Sequence, residues 1–213
     1  MRNLQDVLRC CLAGALAGLL ALAGPAAAED TPAPDEQFER DLTVAQKPIF
    51  EIFLLRPPRH IDVDAWVDKP GRVYSIGQPL RVMVHPFQDA YITVVDVGSS
   101  GRVAILYPNH FQTGARVRAG STVSIPLKSA PWQIKVGGPP GIDLIQVIAS
   151  RHPITLPELN ELVRSTADSP TVTLGRSAAD VARDLILQLK PEVASGRVPP
   201  GFGLRNVLIR IDS

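Results

Sequence analysis

The chain has 213 residues, 20% of them charged, and a formal net charge of +1. This length is enough for one domain with its own hydrophobic core, or for one domain and a small appendage. The balanced charge and the lack of a long basic run argue against nucleic acid and anionic membranes as partners.

Residues 1–28 have the three parts of a secretory signal peptide. Arg2 and Arg9 form a basic start, residues 10–24 are apolar, and residues 26–28 are the small alanines typical of a cleavage site. A transmembrane helix needs about 20 apolar residues, so this stretch is short for a membrane anchor. We therefore expect a cleaved signal peptide, with an uncleaved anchor as the alternative.

Cleavage after residue 28 would change the composition of the mature protein. Both cysteines, Cys10 and Cys11, would be lost, and the loss of Arg2, Arg9 and Asp6 would leave 20 basic and 20 acidic residues. The mature chain would then form no disulfide, and no later apolar run approaches membrane length. We expect a soluble protein in the periplasm or outside the cell.

Residues 29–61 predict a flexible N-terminal tether and a lead-in segment. Residues 29–37 are polar and rich in proline, as flexible linkers are. The apolar stretch at residues 48–58, "PIFEIFLLRPP", fits a short strand or a helical turn, and prolines interrupt it.

From residue 62 onward the hydrophobic pattern has the period of two that β-strands produce. The predicted strands cover residues 63–67, 72–76, 80–85, 90–97, 102–107, 121–127, 132–136 and 142–150. The link "GSSG" at residues 98–101 predicts a hairpin between two of them. Short strands separated by frequent turn signals predict a mainly β protein, an antiparallel β-sandwich-like domain or a barrel.

The pattern becomes helical after residue 150. Thr155 with Glu158, and Ser177 with Asp180, have the spacing of capping boxes, which predicts helices near residues 156–164 and 178–190. Residues 205–213 return to a period of two. We therefore predict a small C-terminal helical insertion before a last strand, within one β domain at residues 62–213.

Residues 62–152 resemble the bacterial DUF4384 domain family. The similarity lies in "VYSIGQPLRVMV" (73–84), "DAYITVVDVGSSGRVAILYPN" (89–109), "VRAGSTVSIP" (117–126) and "GPPGIDLIQVIAS" (138–150), in this order. The residues that we assign to this fold signature are Tyr91, Gly101, Leu106, Pro108, Asn109, Gly120, Pro126 and Gly141. The resemblance implies a β-rich module of secreted or surface proteins with an accessory or interaction role, and it provides no catalytic residues.

The sequence offers little support for a metal site. His60, His85, His110 and His152 do not form pairs with the spacing of zinc ligands. Asp62, Asp64 and Asp68 lie along an apparent strand, and Gly71 comes too late for a calcium-binding loop. We predict no metal and no cofactor.

The sequence also offers little support for catalysis. It has no GxSxG motif, and Ser99 and Ser100 lie in a predicted hairpin link where serine is expected as a turn former. "GGPPG" (137–141) lacks the Lys and Ser/Thr of a phosphate-binding loop. All tyrosines and tryptophans lie within predicted strands. Core packing is the expected role of the aromatic residues, and a carbohydrate platform is the alternative.

The stretch "ILYPNHFQTG" (105–114) raises the question of an active-site histidine. Pro108 cannot donate to a strand ladder, and Asn109 tolerates turn conformations, so the stretch also fits the end of a strand. His110 has no visible catalytic partner and lies outside the fold signature. We interpret the stretch as structural.

The predicted function is a non-catalytic accessory or protein-interaction module of the bacterial cell envelope, with an envelope protein as partner. The alternative is a module that binds envelope glycans or a small ligand, and a hydrolase comes third.

Overall fold

A computed structural model describes residues 38–52, 60–156, 171–189 and 201–213. The strands in these ranges are β1 (Val63–Val67), β2 (Val73–Ser75), β3 (Pro79–Leu80), β4 (Val82–Pro86), β5 (Ala90–Val97), β6 (Val103–Tyr107), β7 (Arg116–Val117), β8 (Val123–Ile125), β9 (Ile134–Lys135), β10 (Gly141–Ser150), β11 (Val172–Leu174) and β12 (Phe202–Asp212). The helices are α1 (Lys47–Ile52) and α2 (Ala178–Leu189). None of the helices in the described ranges is long and apolar enough to cross a membrane.

The strands form one large sheet and two smaller ones. The large sheet has the order β11-β6-β5-β10-β12-β2, with β7 paired to β5. A second sheet has the order β1-β4-β8, and β3 pairs with β9. The protein is therefore mainly β with mostly antiparallel sheets and a helix before the last strand, which confirms the predicted fold class.

The longest ladder, β10 with β12, lies inside the large sheet. β10 pairs antiparallel with β5 on one side and with β12 on the other, and its residues 142–150 are all buried. A strand covered on both faces needs apolar residues on both faces. This explains why "GIDLIQVIAS" is an almost continuous apolar run and does not alternate.

Two hydrophobic cores cover the two faces of the large sheet. The helix-side core contains Leu144 and Ile148 of β10 together with buried residues of α1 and α2. The sheet-side core contains Ile145 and Val147 of β10 together with residues of β1, β4 and β8. Successive residues of β10 thus point to opposite cores, as the pleat of a strand requires.

Several predicted elements occur as expected. β5 covers residues 90–97, and it forms an antiparallel hairpin with β6 through the predicted GSSG link. At the start of α2 the Ser177 Oγ accepts the Asp180 N–H (3.2 Å) and donates to Asp180 Oδ2 (2.7 Å). This confirms the N-cap and the second helix, whereas the helix predicted near residues 156–164 lies outside the described residues beyond Leu156.

One strand pair departs from the antiparallel pattern. β2 runs parallel to β12, with Val73 opposite Arg210 and Ser75 opposite Asp212. The alternation of apolar residues shows which face of a strand is buried but carries no information on the direction of its neighbour. The short strands β7 and β11 were not predicted because two or three residues cannot establish a period.

The lead-in segment contributes to the helix-side core. The described part of its apolar stretch, residues 48–52, lies in helix α1, as the helical alternative predicts, and Ile49 and Ile52 are buried. Gln46 is fully buried, and its Nε2 donates to the carbonyl oxygens of Val97 (2.8 Å) and Ile142 (2.7 Å). This side chain therefore fixes the segment to β5 and β10.

The residues just before β1, His60 and Ile61, pair with the start of β12. The Ile61 N–H donates to the Phe202 carbonyl at 3.1 Å, and His60 pairs with Phe202 in parallel. A Cβ atom built on Gly203 would lie 1.7 Å from the Ile61 carbonyl oxygen. Only a residue without a side chain permits this approach, after which the chain leaves the large sheet and enters the second one as β1.

We predict that Gly203→Ala strongly destabilises the fold because the new methyl group would collide with backbone and not with a movable side chain. Overpacking of this kind costs about 3 kcal/mol or more at the upper end of its range. Gly114→Ala is the matched control, since a Cβ there meets nothing within 4 Å. Chemical unfolding that shows equal stability for the two variants would contradict the described approach of Ile61.

Candidate functional site

A cleft of about 620 Å³ lies beside β12, between the second sheet and the lead-in segment. Its walls come from β1 and the turn after it, from β12, and from the lead-in segment. The lining residues are Glu39, Phe50, Ala65, Trp66, Val67, Asp68, Lys69, Pro70, Arg72, Met83, Arg205, Asn206, Val207 and Leu208. The cleft thus follows the open side of β12 along residues 205–208.

The chain itself binds this side of β12 at both ends of the cleft. At one end, Ile61 donates to Phe202. At the other end, Arg210 N–H donates to the Arg72 carbonyl at 2.8 Å, and β2 then continues the pairing. Between them, in the described part of the chain, no strand pairs with residues 204–208 on this side.

These bonds show to which side of β12 the backbone N–H and C=O groups of each residue point. The two backbone polar groups of one strand residue point to the same side, and successive residues alternate. The register between β10 and β12 is continuous, and Phe202, Arg210 and Asp212 bond away from β10. The backbone N–H and C=O groups of Leu204, Asn206 and Leu208 therefore also point away from β10, into the gap between the two bound ends.

The facing edge of β1 is partly blocked by one carboxylate. Asp64 Oδ1 accepts the Ala65 N–H at 2.9 Å and lies 3.5 Å from Arg205 Nε of β12. Both charged side chains are about half exposed. Asp64 thus occupies a donor on the edge of β1 and joins the two strands beside the cleft.

Part of the cleft lining consists of residue types that are enriched at protein interfaces. Trp66 is 42% exposed although it is the largest side chain type, and Phe50, Met83, Arg72 and Arg205 lie around the same space. Aromatic residues, Met and Arg are enriched at protein interfaces. An exposed tryptophan beside a cleft is a strong candidate for a binding contact.

Two amide atoms near the cleft are buried without hydrogen bonds among the described residues. Gln146 Nε2 donates to the Ile49 carbonyl (2.9 Å) and to Asn206 Oδ1 (3.1 Å), but Gln146 Oε1 and Asn206 Nδ2 have no partner. Buried polar atoms normally have partners. The Gln146–Asn206 pair therefore keeps unused hydrogen-bonding capacity at the wall of the cleft.

Polar contacts fix the turn at the far end of the cleft. Tyr74 Oη donates to Asp68 Oδ1 at 2.8 Å and accepts the Lys69 N–H at 3.2 Å. Burial of the phenol, with the hydrogen bond to Asp68, raises the pKa of Tyr74 above its usual value. Tyr74 therefore stays neutral and acts as a hydrogen-bonding support for the turn.

A second group of polar residues lies at the β5–β6 hairpin, outside the cleft lining. The Ser99 N–H donates to Asp143 Oδ1 at 2.9 Å. Burial raises the pKa of Asp143 to about 6, although the Ser99 N–H and Arg102 act in the opposite direction. Burial and the neighbouring Asp143 also raise the pKa of Asp96 well above its usual range.

The fold-signature residues lie in strands and turns. Gly101 closes the β5–β6 hairpin with a φ of +81°, and a Cβ there would lie 2.6 Å from the Ala45 Cβ. Tyr91 lies in β5, Gly120 and Pro126 flank β8, and Gly141 opens β10. Leu106, Pro108 and Asn109 share the end of β6 and the turn after it, and none of the eight lines the cleft.

The turn in "ILYPNHFQTG" is held together by Asn109, which is fully buried. Its Nδ2 donates to the Leu106 carbonyl (2.7 Å), and its Oδ1 accepts the N–H groups of Phe111 (3.0 Å) and Gln112 (2.8 Å). The His110 ring packs against the Phe111 ring in an edge-to-face arrangement, with centroids 5.3 Å apart. Phe111 is 46% exposed and stacks on Trp132, so it does not fold back into the core.

The aspartates and histidines that the sequence raised do not converge. Asp62 pairs with His60, Asp64 with Arg205, and Asp68 with Tyr74. Over the described ranges, no group of three His, Cys, Asp or Glu side chains is arranged to hold a metal ion.

The aromatic residues divide between the core and the surface. Tyr74, Tyr107 and Phe202 are almost completely buried, as expected, whereas Trp66, Phe87 and Phe111 are exposed. Sequence reasoning missed the cleft, because its wall depends on which part of β12 lacks a neighbour. The usable signal was the spacing of Asp64, Trp66 and Asp68, which are two residues apart. In a strand this spacing places the tryptophan on the same polar face as the two aspartates.

Comparison with known proteins identifies one family. The model of DUF4384, a domain of unknown function, matches residues 73–153, that is β2 to the end of β10 and the three residues after it. No curated protein and no solved structure matches the chain. The match confirms the resemblance in the sequence, and the cleft wall formed by β12 and β1 lies outside the matched segment.

We predict that Asn109→Ala destabilises the protein by about 2 kcal/mol, because the buried Leu106 carbonyl and the part-buried N–H groups of Phe111 and Gln112 would lose their bonds to the Asn109 side chain. His110→Ala is the matched control in the same turn, and surface changes of this kind usually stay within about 0.5 kcal/mol. Thermal unfolding of both variants tests this prediction. A larger loss for His110→Ala than for Asn109→Ala would contradict the structural role of the turn.

We predict that Asp143 makes the stability of the wild-type protein fall as the pH rises. The folded-state pKa of about 6 exceeds the unfolded value of about 3.9, so the unfolded chain loses its proton first. The free energy of unfolding then decreases between about pH 4 and pH 6 and stays lower above that range. Asp143→Asn removes this titration, so its stability relative to wild type should rise across the window, on the order of 1–3 kcal/mol. Parallel pH profiles of the two proteins in urea unfolding would contradict this prediction.

Proposed function

We propose that this chain, which carries a DUF4384 domain at residues 73–153, is a non-catalytic protein-interaction module of the bacterial cell envelope. The cleft beside β12 is its partner-binding site. The observation that carries the proposal is the composition of the cleft, in which an exposed tryptophan lies among Phe, Met and Arg side chains. All four residue types are enriched at protein interfaces, and Trp and Arg are enriched among the residues that dominate the binding energy.

The envelope location rests on the sequence of residues 1–28. A basic start, an apolar stretch and small residues before Glu29 are the features that direct a chain to export. The DUF4384 resemblance supports the same location, since it implies a module of secreted or surface proteins. The partner is then a protein of the periplasm or of the cell surface.

The distribution of titratable groups supports a non-catalytic role. Acid–base catalysis needs groups with shifted pKa values beside the space where a substrate binds. Among the described residues, the carboxyls with raised pKa values are those of Asp96 and Asp143, and neither lines the cleft. Asp143 instead accepts the Ser99 N–H and supports the hairpin.

A glycan or small ligand is the second candidate for the same cleft. The volume of about 620 Å³ lies within the range of about 300–1,000 Å³ that is usual for small-molecule sites. An exposed tryptophan also stacks well on sugar rings. A glycan-binding screen with the purified protein separates this candidate from a protein partner.

The experiment that tests the proposal is site-specific photo-cross-linking in the living cell. A photoreactive amino acid replaces Met83, which lines the cleft, and in a control strain it replaces Phe87, which is 56% exposed outside the cleft. We expect a discrete cross-linked protein at position 83 that is absent at position 87. Equal labelling at both positions, or no cross-linked protein at position 83, would overturn the proposal.

We predict that Trp66→Ala weakens binding of the purified cross-linked partner by about 2 kcal/mol or more, about thirtyfold in Kd. Phe87→Ala is the matched aromatic control and should stay within about threefold. Isothermal titration with the purified partner measures both values. Equal affinities of the two variants would remove Trp66 and the cleft from the interface.

A further inference from the structure

We propose that the cleft binds its partner by β-strand addition, in which an extended segment of the partner pairs with residues 204–208 of β12. This inference rests on the proposed function and names its mode of recognition. The partner segment would fill the gap that the chain leaves between Ile61 and Arg72.

The first argument is the repeat of the free backbone groups. Leu204, Asn206 and Leu208 present their N–H and C=O groups to the gap, and in the described ranges no strand takes them up. Groups that recur at every second residue of a strand match the backbone of another extended chain. A glycan or a globular surface offers no such repeat.

The second argument is that the chain itself binds the same edge by strand pairing on both sides of the gap. His60 and Ile61 pair with Phe202, and β2 pairs with residues 210–212 of β12. The geometry of this edge therefore accepts a neighbouring strand. The five residues 204–208 span about 16 Å at about 3.3 Å per residue, which matches a short strand.

The third argument compares the two strand edges beside the cleft. The edge of β1 is protected against strand pairing, whereas the described residues provide no such protection for β12. Asp64 already holds the Ala65 N–H on β1 and is tied to Arg205. Charged side chains that cover an edge are a common protection against strand pairing. Such a cover is absent at Leu204, Asn206 and Leu208 in the described part of the chain, so β12 is the edge that receives the partner.

The side chains of the added strand would alternate between two environments. One set would face Trp66 and Met83 from the second sheet, and the other would face Phe50 and Leu208 from the helix side. The pattern favours a segment with an apolar residue at every second position, because the pleat sends alternate side chains to opposite faces. The partner is thus an extended segment, free of proline where its N–H groups bond to β12.

The test uses a phage-displayed library of random peptides of about ten residues, a length that covers the usual range of strands. The library is selected on the full purified chain, and the tightest peptide is resynthesised with a methyl group on one backbone nitrogen at a time. Methylation removes the donor, so pairing with a single edge predicts a loss with a period of two. We expect losses of about tenfold or more at every second position and changes within about threefold between them.

A pair of protein variants tests the receiving edge. Asn206→Pro removes the outward N–H on the open side of β12, whereas Asn206→Ala removes only the side chain. We expect the selected peptide to bind Asn206→Pro about tenfold or more weakly than Asn206→Ala, because only the proline variant lacks the N–H. Circular dichroism checks the fold of both variants, and the methylation series does not depend on them.

The outcomes separate this inference from the proposed function. A cross-linked protein at position 83, together with a methylation series that shows no period of two, would overturn strand addition and leave the protein-interaction role. Absence of a cross-linked protein at position 83, together with a methylation series without a period of two, would overturn both the proposed function and strand addition. Dimers of the chain alone that dissociate in Asn206→Pro would show that a second copy occupies the edge, and would overturn the partner proposed here.

Discussion

The contact between Ile61 and Gly203 is the constraint on which the rest of the structure depends. The Ile61 N–H bonds to Phe202, and its carbonyl oxygen lies where a side chain of residue 203 would begin. From this point the chain can no longer follow β12 and turns into the second sheet as β1. It returns at Arg72, whose carbonyl accepts the Arg210 N–H, and no described strand pairs with the edge of β12 between these two points. The cleft is the direct result of this detour.

Hydrophobic packing fixes the segments on both sides of the cleft. β1 is anchored in the sheet-side core by Ala65 and Val67, while the lead-in segment is anchored in the helix-side core by Ile49 and Ile52. The guanidinium groups of Arg72 and Arg210 each lie 5.3 Å from the centroid of the Phe38 ring, at the end where the chain returns. The walls of the cleft therefore belong to two separate cores.

The sequence predicted much of the fold and little of the site, for physical reasons. The alternation in residues 90–97 and the Ser177–Asp180 cap depend on local geometry, and both occur in the structure. The parallel direction of β2 depends on a partner 137 residues away in the register between Val73 and Arg210, and a local pattern does not contain it. The edge of β12 along residues 204–208 is harder still to predict, because it is defined by the absence of a neighbouring strand among the described residues. The environments of Asp96 and Asp143 likewise depend on the packing of β5, β6 and β10 against one another. The sequence of each segment alone does not contain this packing.

The "ILYPNHFQTG" turn has a structural role, whereas the cleft is the site that we propose for recognition. The turn belongs to the matched DUF4384 segment, and its buried asparagine bonds three backbone groups. The strand edge that we propose for binding lies on β12, outside residues 73–153. Members of the family that share the turn would thus share the scaffold, while the recognition surface would depend on the segments around it.

Residue-resolved amide hydrogen exchange, measured by nuclear magnetic resonance, tests the open edge most directly. In the free protein we expect the amides of Leu204, Asn206 and Leu208 to exchange much faster than those of Arg205 and Val207, which face β10. Saturation with the selected peptide should slow the three fast amides and leave the other two unchanged. Equal protection of all five amides in the free protein would contradict an open edge, and fast exchange that persists in the complex would contradict strand addition.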